Sequence, residues 1–118
     1  MIKKNSKTRK AKLKADKSEL LDKLNSLLQE GKKLFEQPKI DEKKYDYWYD
    51  RVIVLLKNSF SNPDNEYKNR FVLPVSYIFI RHDSESIPEI DLQFELRKEL
   101  GEELSNLDII INDIIVRY

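Results

Sequence analysis

The only histidine of the chain, His82, stands between Arg81 and Asp83, with Glu85 three residues on. A His-Asp dipeptide is a beginning of a metal-dependent phosphohydrolase, and an imidazole near a hydroxyl is a beginning of nucleophilic catalysis. Neither is completed here. A metal centre needs several more histidines or carboxylates in fixed geometry, and a Ser–His–Asp unit needs an imidazole that a rigid element positions. The stretch "RHDSESIPEIDLQ" reads instead as a polar connector. The pairs Glu95/Glu99 and Glu99/Glu103 fall one above the other on a helix. Acid–base work needs carboxyls in contrasting environments, whereas like charges at this spacing usually mark a solvated face. Phosphate loops need clustered glycines, and Gly31 and Gly101, the only two, lie within helical patterns. The sequence therefore predicts no enzyme: no catalytic residue, no metal ligand and no cofactor.

Two groupings suit binding better than reaction. The first is a basic arm. Residues 1–19 hold eight Lys/Arg against Asp16 and Glu19, which leaves 14 basic and 19 acidic residues on the rest of a chain whose net charge is only +1. Lys3, Lys4, Lys7, Arg9, Lys10, Lys12 and Lys14 have the density to neutralise phosphates on a nucleic acid, or to meet an acidic partner. A solvated, partly disordered or helix-extending arm over residues 1–17 is the plainer expectation. The second grouping is "KKYDYWYD", with Tyr45, Tyr47, Trp48 and Tyr49 inside five positions.

Stepping along the chain places these residues on elements. "DKSELLDKLNSLLQEGKKLFE" repeats leucine at three-to-four spacing and predicts a helix over 17–36, capped by Asp16 or Ser18 and ended by Gln37-Pro38. Gly31 lies on the apolar stripe between Leu27 and Leu34. A glycine there costs about 1 kcal/mol against alanine, so another helix is expected to approach closely. Asp41 caps a second helix, 42–60, whose Tyr45, Trp48, Tyr49, Val52, Leu55, Leu56 and Phe60 form one buried face. Tyr47 points nearly opposite, with Arg51 beside it and Val54 seven residues on, so these three are candidate protein contacts.

A short third helix is expected over 63–71, with Ser61 or Asn62 as its cap and Pro63 first. Residues 72–80, "VLPVSYIFI" with its flank, read as an extended segment. A last helix over 88–117 would bury Ile90, Phe94, Leu100, Leu104, Leu107, Ile111, Ile115 and Tyr118, with Lys98, Glu99, Glu102 and Glu103 away from that face or on its edge. Ile109 and Val116 lie on its back, either enclosed or offered to a partner. The fold class is all-α, an antiparallel bundle of about four helices forming one domain, 18–118, behind the arm.

With 118 residues, no cysteine and no apolar run long enough to span a bilayer, the expected setting is soluble and cytoplasmic, without a membrane. A protein partner is expected, nucleic acid is the alternative, and homo-oligomerisation stays open.

The stretches "LLQEGKKL", "IDEKKYDYWYDRVIVLLKNSF" around Trp48, "NEYKNRF" and the closing "LDIIINDIIVRY" together resemble a helical module found N-terminal to TIR-like or predicted nucleotide-binding effector domains in bacterial abortive-infection and antiphage proteins. The resemblance covers roughly residues 20–118 and rests on packing positions. It implies an all-α fold and a conflict-system context, not a chemistry. The expectation is a free-standing module, without an effector domain behind it and with a basic arm before it. The implied roles are a regulatory subunit of a phage-defence system, or a phage- or plasmid-encoded counter-defence inhibitor of a host defence component.

Overall fold

A computed structural model of the chain describes residues 12–72 and 89–118. Four helices carry it: α1 (Lys17–Glu36), α2 (Glu42–Asn58), α3 (Glu66–Phe71) and α4 (Glu89–Arg117). The expected all-α bundle is the observed one. Helix α1 packs on both α2 and α4, and α3 bridges α2 to α4. Pairings such as Glu30 with Arg51 and Lys17 with Ile115 run α1 antiparallel to both long neighbours. The predicted extended segment lies, but for Val72, outside the described residues, as do His82 and the connector as far as residue 88; its remainder, 89–93, opens α4.

Each boundary has a local cause. Asp16 accepts from the Glu19 amide at the start of α1, and Asp41 accepts from the amides of Lys43 and Lys44 at the start of α2. Helix α2 stops at Asn58, two residues before the predicted end, because Phe60 pairs with the arm instead. Leu13 and Phe60 form an antiparallel bridge, the Ser59 carbonyl accepts from Lys14 and Ala15, and Ser61 donates to Lys12. Residues 12–16 are thus an extended segment fastened to the body.

Helix α3 starts later than predicted. Its cap is Asn65, not Ser61 or Asn62, and Pro63 lies in the preceding turn. Asn62 spends its side-chain oxygen on the Asp64 amide. Asn65 uses both ends of its amide: its oxygen accepts from Tyr67 and Lys68, while its nitrogen donates to the carbonyls of Leu56 and Asn62. A buried asparagine with all these partners ties the end of α2 to the start of α3.

The loop between α1 and α2 is held by α4. Gln93 exchanges two hydrogen bonds with the backbone of Ile40, at 2.8 and 3.1 Å. Arg97 donates to the carbonyl of Phe35, one of those the α1 terminus leaves without a helical partner, and to the carbonyls of Gln37 and Pro38 in the cap and loop that follow.

The core follows the predicted faces on α1 and α2, except that Phe35, the last apolar residue of the α1 stripe, is exposed and lies under the Arg97 guanidinium. Leu20, Leu24, Leu27 and Leu28 meet Tyr45, Trp48, Val52 and Leu56, while Tyr49 is half-buried against Phe71. On α4 the expected face needs correction. Its buried residues are Leu96, Glu99, Leu100, Glu103, Leu107, Ile110, Ile111 and Ile114, whereas Phe94 and Ile115 are exposed. At 100° per residue the face is turned by roughly 75° from the predicted one. Two glutamates expected toward solvent go inside with it.

Gly31 meets its predicted purpose. A Cβ there would stand 2.6 Å from the Trp48 ring and 2.6 Å from Leu104. The indole lies across this gap and donates from Nε1 to the Leu27 carbonyl at 2.7 Å, one turn back on α1. Leu104 can swing its methyl away, but the ring is held. Gly31→Ala is therefore expected to cost about 1–3 kcal/mol in overpacking, more than the gain of about 1 kcal/mol from alanine as a helix former. Thermal unfolding should show a midpoint lowered by several degrees; a midpoint that rises would contradict this seating of Trp48.

Candidate functional site

Helix α2 is two-faced because Tyr45, Trp48, Val52 and Leu56 turn inward, which forces Tyr47, Arg51 and Val54 outward. Tyr47 is 65% and Val54 53% exposed, while Arg51 is half-buried between them. The guanidinium of Arg51 forms a bidentate pair with Glu30 on α1, at 2.7 and 2.8 Å. It also lies over the Tyr47 ring, 5.2 Å from its centre. Hydrogen bonding from Arg51 holds the Glu30 carboxyl below its usual range, and the same bond raises Arg51. A fork-on-carboxylate pair restrains the arginine, and the arginine restrains the tyrosine ring.

Two grooves flank this trio. One, of about 830 Å³, opens between α1 and α2 over Leu27, Val54 and Leu55, with Asp22 and Asp50 on its rim. The other, of about 610 Å³, lies toward the start of α2, among Lys33, Lys39, Lys44 and the edge of Trp48. Tyr47 and Arg51 line both. Sequence reading found Tyr47, Arg51 and Val54 but missed Glu30, Lys33 and Lys44. Their signal is tertiary, since Glu30 and Arg51 are 21 residues apart in sequence.

The second predicted contact, Ile109 with Val116, lies elsewhere. Ile109 is 45% and Val116 81% exposed, so the back of α4 is not enclosed. Ile109 lines a smaller depression of about 470 Å³ between α3 and α4, with Glu66, Tyr67, Arg70 and Asp113. There Asp113 accepts from the Tyr67 hydroxyl at 2.5 Å and from Arg117 Nε at 2.9 Å. Burial, then the Asp113 bond, pushes the Tyr67 phenol up. No residue lines both this depression and the Tyr47 grooves, so the two surfaces are separate.

Of the candidate arm residues, Lys12 and Lys14 are exposed on the fastened segment. Lys3, Lys4, Lys7, Arg9 and Lys10 lie outside the described residues.

The carboxylate pair Glu99/Glu103 is not a solvated face. Glu99 is 1% and Glu103 2% exposed, and the Tyr45 hydroxyl reaches both, at 2.9 and 2.6 Å. Burial first, then the charges of Glu103 and Glu99, drives the phenol far above its ordinary value. All three groups are closed from solvent, so a substrate has no approach. Their role is to set α2 against α4. Among the described residues no group of three or more His, Asp or Glu side chains is placed to hold a metal. No described helix is long and apolar enough to cross a membrane.

Tyr45→Phe removes the shared donor and leaves buried carboxylate oxygens without it, an expected loss of about 1–3 kcal/mol. Its pH dependence has a definite sign. An unfolded chain releases this phenol proton near pH 10.0 while the folded chain retains it, so stability falls as pH rises beyond that point. The fall is about 1.4 kcal/mol per pH unit for this group. Denaturant titrations from pH 8 to 11 should find the alkaline slope shallower in Tyr45→Phe by about that amount; equal stability with an unchanged slope would contradict the cluster.

No family model matches the chain, and no curated protein or solved structure matches it.

Proposed function

We propose that this chain is a non-enzymatic interaction module whose α1–α2 surface, centred on Tyr47, captures a protein partner. The observation that carries this reading is the restrained trio: an exposed aromatic ring clasped by an arginine that is itself clasped by Glu30, beside an apolar groove. Tyrosine and arginine are the residues most often found at the energetic centres of protein interfaces, and a ring held before binding loses little freedom on binding. An exposed large aromatic is otherwise a solubility burden. The second surface, Ile109 and Val116, is a subsidiary contact of the same kind.

The setting we propose, bacterial phage defence or phage- or plasmid-encoded counter-defence, rests on the resemblance of the helical pattern alone. A second reading, nucleic-acid binding through the basic arm, is favoured by one observation. Backbone bonds to Ser59 and Ser61 fix the segment that carries Lys12 and Lys14, leaving both side chains exposed. Such contacts would be insensitive to base sequence and would weaken steeply with salt.

One affinity capture separates the readings. The tagged protein, a Tyr47→Ala/Arg51→Ala variant, an Ile109→Ala/Val116→Ala variant and a form that lacks residues 1–11 and carries Lys12→Ala and Lys14→Ala are used to retrieve partners from host lysate, with and without nuclease. The protein-binding reading expects a nuclease-resistant partner whose recovery drops roughly tenfold for the Tyr47/Arg51 variant, in keeping with an interface centre. Recovery unchanged with both surfaces altered would sink it. Recovery abolished by nuclease, or by loss of the arm alone, would transfer the function to nucleic acid.

A further inference from the structure

Tyr47 stands on a ridge, and the grooves on its two sides differ in charge. Toward the start of α2, Lys33, Lys39 and Lys44 gather around a groove whose carboxylates are already engaged. Asp41 accepts from two backbone amides, and Glu30 holds Arg51. Neither Lys33 nor Lys44 forms an ion pair among the described residues. On the other side of the ridge the floor is aliphatic, with Leu27, Val54 and Leu55, and its rim carries Asp22 and Asp50 together with one further cation, Lys23, whose ammonium lies 3.9 Å from Glu19. The ammonium groups of Lys33 and Lys44 thus mark one end of the surface, whereas its aliphatic part is flanked by Asp22 and Asp50 and by a lysine already drawn to Glu19. The stretch of α1 from Asp22 to Lys33 is about 17 Å long, which three turns of a helical ligand would match.

This gradient discriminates between ligands. A nucleic-acid strand carries a phosphate at every step and would bring one past Glu30, Asp22 and Asp50. A peptide can confine its carboxylates to one end. Resting on the protein-binding reading above, we infer that the occupant of this surface is an amphipathic peptide segment: its aliphatic or aromatic side chains sit on Leu27, Val54 and Leu55, and its carboxylates, gathered at one end, meet Lys33 and Lys44. The same gradient sets direction. Reversed, the segment would set its carboxylates against Asp22 and Asp50, so one orientation is selected.

Panning a library of random peptides of about twelve residues on the full-length chain tests this, since three helical turns need about that many. The enriched peptides should combine Leu, Ile or Phe with Asp or Glu confined to one end. A representative labelled peptide, followed by fluorescence anisotropy, should bind at least about tenfold more weakly to Lys33→Glu/Lys44→Glu, and also more weakly to Val54→Asp. Lys33, Lys44 and Val54 are all exposed, so the variants should keep their helices by circular dichroism. Enriched peptides without acidic bias, or affinity that charge reversal leaves unchanged while Val54→Asp abolishes it, would overturn the acidic segment and leave the protein-binding surface standing. Affinity indifferent to Val54→Asp and Tyr47→Ala as well, or no enrichment at all, would overturn both. A random single-stranded oligonucleotide that binds more tightly than any selected peptide, and is lost with the same substitutions, would overturn the inference in favour of nucleic acid.

Discussion

The indole of Trp48 occupies the space that Gly31 leaves open, and the rest of the molecule depends on that fit. A side chain on residue 31 would overlap the ring, and without the ring the Leu27 carbonyl would lose its second donor. The seat fixes how far α2 is rotated about its own axis. At 100° per residue, Trp48 inward places Tyr47 roughly 150° from the centre of the buried face. The exposed ring, its arginine clasp and the two grooves are therefore consequences of a packing decision made on the opposite side of the helix.

A second constraint fixes α2 against α4. Burying Glu99 and Glu103 side by side is expensive, because carboxylates lose water and repel one another. The Tyr45 hydroxyl offsets part of that cost, and it does so only in one register of α2 on α4. Such a cluster is weak as a source of stability, but it penalises other registers. Gln93 on Ile40 and Arg97 on the end of α1 then hold the intervening loop in the same register. Three polar anchors on α4 thus position the helix that presents Tyr47.

Much of this was legible from local pattern, and the failures share a cause. Asp16 and Asp41 act as caps because a short acidic side chain can satisfy amides two or three residues on, a relation contained within a few positions. Gly31 was legible because a glycine on a leucine stripe needs a reason. Trp48 inward and Tyr47 outward followed from helical period alone. By contrast, the buried glutamates carry no local mark: their partner is more than fifty residues away, and period alone placed Phe94 inside where Glu99 and Glu103 belong. Glu30 as the clasp of Arg51 was missed for the same reason, since it depends on a second element arriving nearby; Asn65 was missed although its bonds to the amides of Tyr67 and Lys68 are local, because Pro63 as a first helical residue pointed to an earlier start.

The functional reading stands or falls with the rotation of α2, because only that rotation turns Tyr47, Arg51 and Val54 into a surface. Trp48 is the only tryptophan, so its fluorescence reports on that rotation without labels. The measurement is the emission spectrum of the native protein with acrylamide quenching, compared with the chain in denaturant. A ring buried to 1% exposure with its N–H engaged predicts blue-shifted emission that resists the quencher and moves to the red on unfolding. Native emission already at the position of the denatured chain, and quenched as readily, would put Trp48 in water and contradict the account.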